Sequence, residues 1–240
     1  MNIQGMERWN AFLRRYESQF PHRLQDKVDA FKQEFGRLKI AYEAHRAEVD
    51  HRVMTLAPAF SIFLILGAHR LELSHSAFLA HLLDPGGSHG QRDLFLRAFL
   101  SYCAGKYVHF PLPRDTVDGS TKWNCQTECV IPGGRLDVLL ENPVLGCRYV
   151  IENKVGAAEQ DGQLAFYARW MEKHQEEYAQ QALVFLTQTG YAARTAGTYS
   201  YFCLSYHEDV VGWLKSATPH IKAPNVREIV RQYTEVAAYV

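Results

Sequence analysis

The sequence has no excess of charge of either sign. Its 240 residues include 26 lysines and arginines and 26 aspartates and glutamates, so the formal net charge is zero. Proteins that bind nucleic acid over a broad surface usually carry a basic excess. The balance therefore argues against a non-catalytic DNA-binding module, whereas an enzyme that acts on DNA needs only a local basic groove.

Features of secreted and membrane proteins are also scarce. The longest apolar run, residues 57–68, is shorter than the roughly 20 residues that cross a bilayer, and no signal peptide is recognisable. The five cysteines are odd in number and contain no C-x-x-C pair, which indicates reduced thiols and neither a zinc site nor a disulfide framework. We expect a cytoplasmic protein without a membrane partner.

Three charged residues lie on two adjacent predicted strands in the middle of the chain. Residues 135–140 and 147–155 are rich in strand-forming residues, and the Asn, Pro and Gly between them favour a hairpin. Side chains alternate along a strand, so Glu152 and Lys154 share one face, while Asp137 interrupts the apolar run of the first strand. A carboxylate in a buried strand is costly without a compensating charge. Asp137 is therefore predicted to need a cation.

The chemistry of this group favours a divalent metal. Mg²⁺ binds one or two carboxylates together with waters and phosphate oxygens, and Mn²⁺ is the alternative ion. Such a metal polarises a phosphoryl group and lowers the pKa of bound water, which leads to phosphodiester hydrolysis. Lys154 would orient the water or stabilise the developing charge. An isolated E-x-K pair is more often an ordinary ion pair, so the interpretation also depends on the residues after Lys154.

A helix is predicted over residues 157–178. Gln163 and Tyr167 lie four residues apart and therefore on one face, where both can meet a nucleic-acid backbone. Leu164 and Ala168 are expected to face the sheet.

Together these residues resemble the PD-(D/E)XK nuclease superfamily, in its RecB-like branch. The resemblance is carried by Asp137, by Glu152-Asn153-Lys154 after a gap of fourteen residues, and by Gln163-x-x-x-Tyr167. The proline that precedes the aspartate in the family is Leu136 here. The resemblance implies an α/β fold with a mixed central β-sheet flanked by helices, a restriction-endonuclease-like core.

The resemblance also implies roles for single residues. Asp137, Glu152 and the backbone carbonyl of Asn153 would bind the metal, and Lys154 would serve the attacking water. The remaining two motif residues would position the substrate or brace the site; these are Gln163 and Tyr167.

Four more residues are candidates for the site. Glu72 begins a predicted helix, and in many superfamily members such a glutamate reaches the metal; a carboxylate that only favours the helix dipole is the alternative. Glu128, on a strand predicted over residues 123–131, is a further candidate metal ligand because neighbouring strands face one another. His89 and Arg194 could contact phosphate. The segment from Glu72 to Leu100 resembles one bacterial branch of these nucleases, which suggests defence against foreign DNA or repair.

Other elements are predicted from periodicity and from Gly and Pro positions. Residues 57–66 are expected to form a buried helix, and Ser74 is expected to cap the helix that ends before Pro85. Further helices and strands are predicted over residues 91–104, 181–187, 198–204, 207–217 and 225–239.

The N-terminal 56 residues are predicted to form a helical extension of a nuclease domain that spans residues 57–240. Apolar residues in it recur at alternating intervals of four and three, as in a heptad seam: Leu24, Val28, Phe31, Phe35, Leu38 and Tyr42. A helical hairpin that packs on its own chain is favoured because the seam is short and rich in aromatics. A coiled coil that forms a homodimer is the alternative.

The sequence thus predicts a Mg²⁺-dependent deoxyribonuclease. RNA stays an alternative substrate, because no element that recognises a 2′-hydroxyl can be identified. Endonuclease and exonuclease action are both compatible with the pattern. Two other classes remain, a binding module that has lost cleavage and an interaction protein that acts through its heptad helix. The presence of Asp137, Glu152 and Lys154 together argues against the first.

Overall fold

The computed structural model describes residues 3–19, 21–57, 59–113 and 122–240, without the side chains of residues 3 and 21–24. The chain divides into two compact units, Met1–Phe60 and Ser61–Val240. Among the described residues, no helix is both long enough and apolar enough to span a membrane.

The first unit contains two helices, α1 (Ile3–Gln19) and α2 (Pro21–Leu56). Pro21 begins α2 at a position where proline is tolerated, because the first amide of a helix has no intrahelical partner. From there α2 continues for 36 residues. The ion pairs between neighbouring turns of α2 are solvent-exposed and contribute little stability.

The second unit is built on one five-stranded sheet. Its strands are β1 (Asn124–Ile131), β2 (Gly134–Asn142), β3 (Cys147–Lys154), β4 (Gln180–Thr187) and β5 (Phe202–Ser205), in that spatial order. The pairs β1–β2 and β2–β3 are antiparallel, whereas β3–β4 and β4–β5 are parallel. The sheet is therefore mixed, as predicted.

Helices cover both faces of the sheet, which confirms the predicted fold class. They are α3 (Ile62–Ile65), α4 (Glu72–Leu83), α5 (Leu94–Lys106), α6 (Gln163–Glu172), α7 (Val211–Ala217) and α8 (Pro224–Ala237). Residues of α4, α5, α7 and α8 form one buried core with alternate residues of the strands, among them Val138 and Ile151. On the other face α6 packs Leu164 and Ala168 against residues such as Val150. This orientation of α6 confirms the prediction from its sequence.

A two-glycine turn joins β1 to β2 beneath α6. Gly133 has a φ of +87°, which a residue with a side chain rarely adopts. A Cβ atom at Gly134 would lie 2.6 Å from Cε1 of Phe166. Glycine at both positions therefore allows the tight reversal and the close approach of α6.

Several predicted boundaries were wrong. Residues 57–66 do not form a buried helix: residue 58 lies outside the described residues, and α3 has four residues, none of them buried. Ser74 is not an N-cap, because α4 begins two residues earlier and the carbonyl of Leu71 accepts the amides of Ser74 and His75.

Helix α6 is much shorter than the predicted helix over residues 157–178. Its N-terminal residue is preceded by Gly162 in the left-handed region, at a φ of +69°. The amides of residues 155–157, at the start of the preceding segment, are bound by the side chain of Glu72. At the C-terminal end of the sheet, β5 is shorter than predicted, and a π-helical turn (Tyr206–Val210) precedes α7.

Candidate active site

The antiparallel pairing of β2 with β3 brings two carboxylates of distant sequence together. Val138 pairs with Ile151, so the neighbouring residues Asp137 and Glu152 lie side by side on the face that α6 covers. Asp137 Oδ2 accepts the backbone N–H of Asn153 at 2.7 Å. This hydrogen bond ties the first carboxylate to the strand that carries the second.

Glu152 is almost completely buried, with 1% of its surface exposed. Lys154 Nζ lies 2.6 Å from Glu152 Oε1. Among the described residues, neither oxygen of Glu152 accepts a well-formed hydrogen bond. The groups that act on its ionisation are Lys154 and the adjacent carboxyl group of Asp137, which lies within hydrogen-bonding reach. A buried carboxylate normally accepts several hydrogen bonds, so this one has unused capacity for a cation.

The protonation of the group reflects this shortage of donors. Burial, followed by the negative charge of Asp137, raises the pKa of Glu152 to about 8 although Lys154 acts in the opposite direction. Burial also raises the pKa of Asp137, against the effect of the Asn153 amide. Burial alone would lower the pKa of Lys154, but the ion pair with Glu152 raises it. Without a metal, Glu152 therefore retains a proton near neutral pH, and a cation bound between the two carboxylates would replace it.

The donor set fits a hard divalent ion that keeps several waters. In the described part of the chain no cluster of three or more His, Cys, Asp and Glu side chains is arranged to hold a metal. Mg²⁺ does not require such a cluster, because one or two carboxylates together with waters and substrate oxygens complete its octahedron. Asp137 and Glu152 with an adjacent backbone carbonyl match that requirement.

The side chain of Glu72, at the start of α4, reaches the end of β3 and accepts backbone hydrogen bonds there. Its Oε1 accepts the backbone N–H groups of Val155, Gly156 and Ala157 at 2.9, 3.1 and 3.0 Å. Burial would raise the pKa of Glu72, but these three hydrogen bonds, with the charge of Lys154, lower it. Glu72 therefore holds the chain directly after Lys154.

Asn153, between the two charged residues of β3, is fully buried. Its Nδ2 donates to the carbonyl of Glu72 at 3.1 Å and to Ser76 Oγ at 3.0 Å. Its Oδ1 accepts from the Tyr206 hydroxyl at 2.8 Å. The side chain thus anchors β3 to α4 and to the turn after β5, and only its backbone is left for the site. The role of Ser76 and Tyr206 was missed, although a buried polar residue in a strand always indicates partners.

A cavity of about 570 Å³ opens in front of these groups. Its wall includes five of the predicted site residues, which are Glu72, Asp137, Lys154, Gln163 and Tyr167. Glu152 lies behind them. The structure therefore gathers most of the predicted site around one space.

Gln163 and Tyr167 form one hydrogen-bonded chain along α6. Gln163 Nε2 donates to the Tyr167 hydroxyl at 3.0 Å, and that hydroxyl donates to the backbone carbonyl of Arg135 at 2.6 Å. Burial, followed by the charge of Glu152, raises the pKa of Tyr167 to about 12. The tyrosine therefore stays a donor and holds β2 two residues before Asp137.

Besides the buried Glu152 and Asn153, three predicted site residues in the described part of the chain do not line the cavity. One of them, Glu128, has a positive φ of 54°, and its carboxylate forms an ion pair with Arg135 Nε at 2.7 Å. Its place outside the cavity wall does not support the prediction that it is a metal ligand.

The other two are held by local hydrogen bonds. His89 is buried; its Nδ1 accepts the amide of Gln91 at 3.0 Å, so its Nε2 donates to the carbonyl of Asp84 at 2.8 Å. Neither ring nitrogen is available for a substrate. Arg194 is exposed in a loop whose backbone is bound by Glu159. It is not part of the cavity wall, but the residues on both sides of Glu159, Ala158 and Gln160, are. The phosphate contact predicted for His89 is thus not supported, and that of Arg194 stays a prediction.

The cavity wall also contains residues that the sequence pattern did not reveal, among them Arg135, Phe166 and Arg169. Phe166 and Arg169 follow Gln163 at intervals of three, so they continue its face along α6. That spacing could have revealed them. Among the described residues, the wall thus contains three cations, Arg135, Lys154 and Arg169, and three carboxylates, Glu72, Asp137 and Asp161.

Comparison with known protein families agrees with this geometry. The family model of the PD-(D/E)XK nuclease superfamily matches residues 60–235. A search of curated proteins found no match, and neither did a search of solved structures. The matched segment contains the whole sheet and every residue of the cavity wall. Since the match covers more than half of the chain, the protein belongs to the PD-(D/E)XK nuclease superfamily.

Proposed function

We propose that the protein is a divalent-metal-dependent nuclease that hydrolyses phosphodiester bonds of DNA. Membership of the superfamily indicates nuclease chemistry in general. The observation that carries the metal dependence is the carboxylate of Glu152, which is buried beside Asp137 with Lys154 as its sole described charge partner. A cation bound between the two carboxylates would remove this imbalance.

Asp137, Glu152 and the backbone carbonyl of Asn153 would hold the metal, Mg²⁺ or Mn²⁺. When bound, the metal supplies Lewis-acid polarisation of the phosphoryl group and a water of lowered pKa. Glu72 is less suited as a ligand, because its Oε1 already accepts three backbone amides. We assign it to positioning the end of β3 and with it Lys154.

Lys154 is the group that acts on the reacting atoms. Lys154 lines the cavity. Burial would lower its pKa, but the ion pair with Glu152 and the nearby carboxylates of Asp137 and Glu72 raise it, so the ammonium group stays protonated. In that state it can donate to the attacking water or to the phosphoryl oxygens, where negative charge accumulates in the transition state. Gln163 and Tyr167 orient β2, and Gln163 also lies at the cavity wall, where it can meet a sugar or phosphate.

A polyanionic substrate is supported by the cavity-lining cations Lys154 and Arg169, and by Arg135, which also pairs with Glu128. These groups bind backbone phosphates without reading sequence. We propose DNA as the substrate, with RNA as the outcome to be distinguished by experiment. A role in defence against foreign DNA or in repair is a further proposal that depends on this activity.

The experiment is a cleavage assay on supercoiled plasmid and on an RNA of similar length, with Mg²⁺ and with EDTA. We expect the unaltered protein to cleave the plasmid with Mg²⁺ and not with EDTA. We expect no cleavage by the Asp137→Asn variant in either condition. Calorimetric titration of Mg²⁺ into the protein and into Glu152→Gln provides a readout that does not depend on turnover. DNA binding without cleavage in the unaltered protein would indicate a binding module, and cleavage by Asp137→Asn would exclude the proposed site.

A further inference from the structure

An apolar seam runs along the surface of α2. It consists of Val28, Phe31, Phe35, Leu38, Tyr42 and Val49, and each of these side chains is between 38% and 70% exposed. The rings of Phe31 and Phe35 stack on each other with centroids 6.1 Å apart. The side chain of Leu24, the predicted first member, lies outside the described residues. Large apolar side chains in such a continuous row indicate a surface that another surface covers.

The seam has the spacing of a coiled coil and is longer than the sequence pattern suggested. Helix α2 continues without interruption to Leu56, so the alternation of three and four extends from Tyr42 through His45 to Val49. The seam ends at Arg52, the next position in the series. The opposite face of α2 is mainly polar, with residues such as Gln33, Arg37, Glu43 and Asp50. A helix with this division pairs through its apolar seam.

The charges beside the seam discriminate between two orientations of a second copy. On one flank the heptad places Lys32, Lys39 and Arg46, and on the other it places Lys27, Glu34 and Glu48. In an antiparallel pair each flank faces its own copy, so the cations of Lys32, Lys39 and Arg46 would oppose one another. Like charges in this position are unfavourable.

A parallel pair brings opposite flanks together. Glu34 then faces Lys39 of the partner subunit, five positions further along, and the same contact forms twice by symmetry. Lys27 faces Lys32 of the partner subunit in this arrangement, which is unfavourable. The Glu34–Lys39 contacts offset this repulsion, and the parallel pair avoids the opposed cations of the antiparallel pair. Charge therefore favours the parallel orientation.

We propose that α2 forms a parallel two-stranded coiled coil with α2 of a second copy of this chain. The partner is a second copy because two copies in register align the whole seam and form the Glu34–Lys39 contact twice. The proposal is independent of the nuclease site, since the seam residues take no part in it.

The mass in solution tests the proposal. Light scattering coupled to size-exclusion chromatography of the full chain should give about 55 kDa, twice the chain mass of 27.5 kDa, over a wide range of concentration. Leu38→Glu should reduce the mass to that of one chain. Ile40→Glu is the matched control, because Ile40 is 69% exposed on the same helix but lies outside the seam. A native mass of 27.5 kDa, or an equal effect of both variants, would overturn the proposal.

Charge exchange tests the orientation. In a parallel pair, Lys39→Glu places a carboxylate against Glu34 of the partner subunit and should raise the dissociation constant of the dimer about tenfold. Combining it with Glu34→Lys should restore dimerisation. In an antiparallel pair the single Lys39→Glu substitution would relieve repulsion and tighten the dimer, which would contradict the parallel arrangement. Circular dichroism of each variant shows whether α2 remains helical.

Discussion

Two buried carboxylates of the described residues lie beside a lysine, and they differ in how many donors surround them. Asp209, in the π-helical turn after β5, is 3% exposed. Its two oxygens accept from Lys106 Nζ at 2.7 Å, from the Tyr102 hydroxyl, and from the amide and hydroxyl of Ser205. Glu152 is equally buried, and Lys154 is its sole described charge partner. The hydrogen bonds of the carboxylate are thus satisfied in the Asp209–Lys106 pair and unsatisfied in the Glu152–Lys154 pair.

This difference separates a structural ion pair from a functional one. A buried charge with all its hydrogen bonds satisfied connects elements of the fold, here α5 with the turn before α7. A buried charge with few donors destabilises the fold unless something else binds to it. The number of donors, and not the presence of the ion pair, thus marks the site.

The sharpest test exchanges the two carboxylates for amides of the same shape. Glu152→Gln should abolish metal-dependent cleavage, a loss of about 10³-fold or more, because a ligand to the metal is lost. The same change should leave the free energy of unfolding unchanged or raise it by about 1 kcal/mol, since an uncompensated buried charge disappears. Plasmid cleavage and urea unfolding measure the two effects.

The matched control is Asp209→Asn. It should lower the free energy of unfolding by about 2–4 kcal/mol, because Lys106 loses its partner and several hydrogen bonds weaken. The folded fraction should still cleave DNA at the native rate. Equal destabilisation by Glu152→Gln and Asp209→Asn would remove the distinction between the two pairs.

The two lysines should differ in the same way. Lys154→Ala should lower the turnover number by about 10²- to 10³-fold and change DNA affinity far less, since its interaction strengthens in the transition state. Lys106→Ala should affect unfolding and leave turnover intact. Single-turnover cleavage and DNA binding in Ca²⁺ separate the two effects. A parallel decline of affinity and turnover in Lys154→Ala would identify Lys154 as a phosphate anchor.

The pH dependence of the free energy of unfolding should reveal the raised pKa of Glu152. Because the folded protein raises the pKa of Glu152 to about 8, it binds a proton that the unfolded chain releases near its ordinary pKa. This stabilisation is fully present below the unfolded pKa and is lost as the pH rises through about 8, with a slope of at most about 1.4 kcal/mol per pH unit. Urea unfolding between these limits should show the decline in the unaltered protein.

The Glu152→Gln variant should lack this contribution to the slope. Saturating Mg²⁺ should also reduce it, because the bound ion stabilises the ionised carboxylate in the folded state. A slope that is the same in Glu152→Gln would show that other groups cause it.

Smaller effects are expected from the residues that support the site from α6. Tyr167→Phe removes the hydrogen bond to the Arg135 carbonyl and should lower turnover roughly tenfold, whereas Gln163→Ala should lower it several-fold. Ala165→Ser, on the same helix but outside the cavity wall, should be nearly silent. Steady-state cleavage rates at saturating DNA rank the three variants. An effect of Ala165→Ser as large as that of Tyr167→Phe would show that the helix as a whole, and not its cavity face, is sensitive.

The succession of helices and strands along the chain was predictable from local periodicity, whereas the mixed sheet was expected from the family resemblance. Alternation along β3 placed Glu152 and Lys154 together, and the spacing of Gln163 and Tyr167 placed them on one face of α6. Three other candidates were chosen by chemical type: His89, Glu128 and Arg194. The partners of His89 and Glu128 are set by turn geometry and tertiary contacts that no periodicity encodes. The role of Arg194 stays a prediction.

The boundaries of α6 illustrate the same limit. Residues 157–162 have helix-compatible composition, yet the carboxylate of Glu72 captures the amides of residues 155–157. A hydrogen bond between residues more than eighty positions apart overrides local preference, and a single sequence contains no record of it. The unsatisfied carboxylate oxygens of Glu152 could not be predicted either, since they depend on which donor groups are absent from their surroundings.

The three hydrogen bonds that Glu72 accepts from residues 155–157 also determine where the chain can change in length. An insertion between Lys154 and Ala157 would pull the lysine away from Glu152, because the three amides are held at fixed positions. Glu159 is held in turn by three hydrogen bonds from Arg194 and Thr195. The residues after it, 160–162, border the cavity. Evolution or protein engineering can therefore lengthen the chain after Glu159 to alter which substrates enter, while the residues that perform the chemistry keep their places.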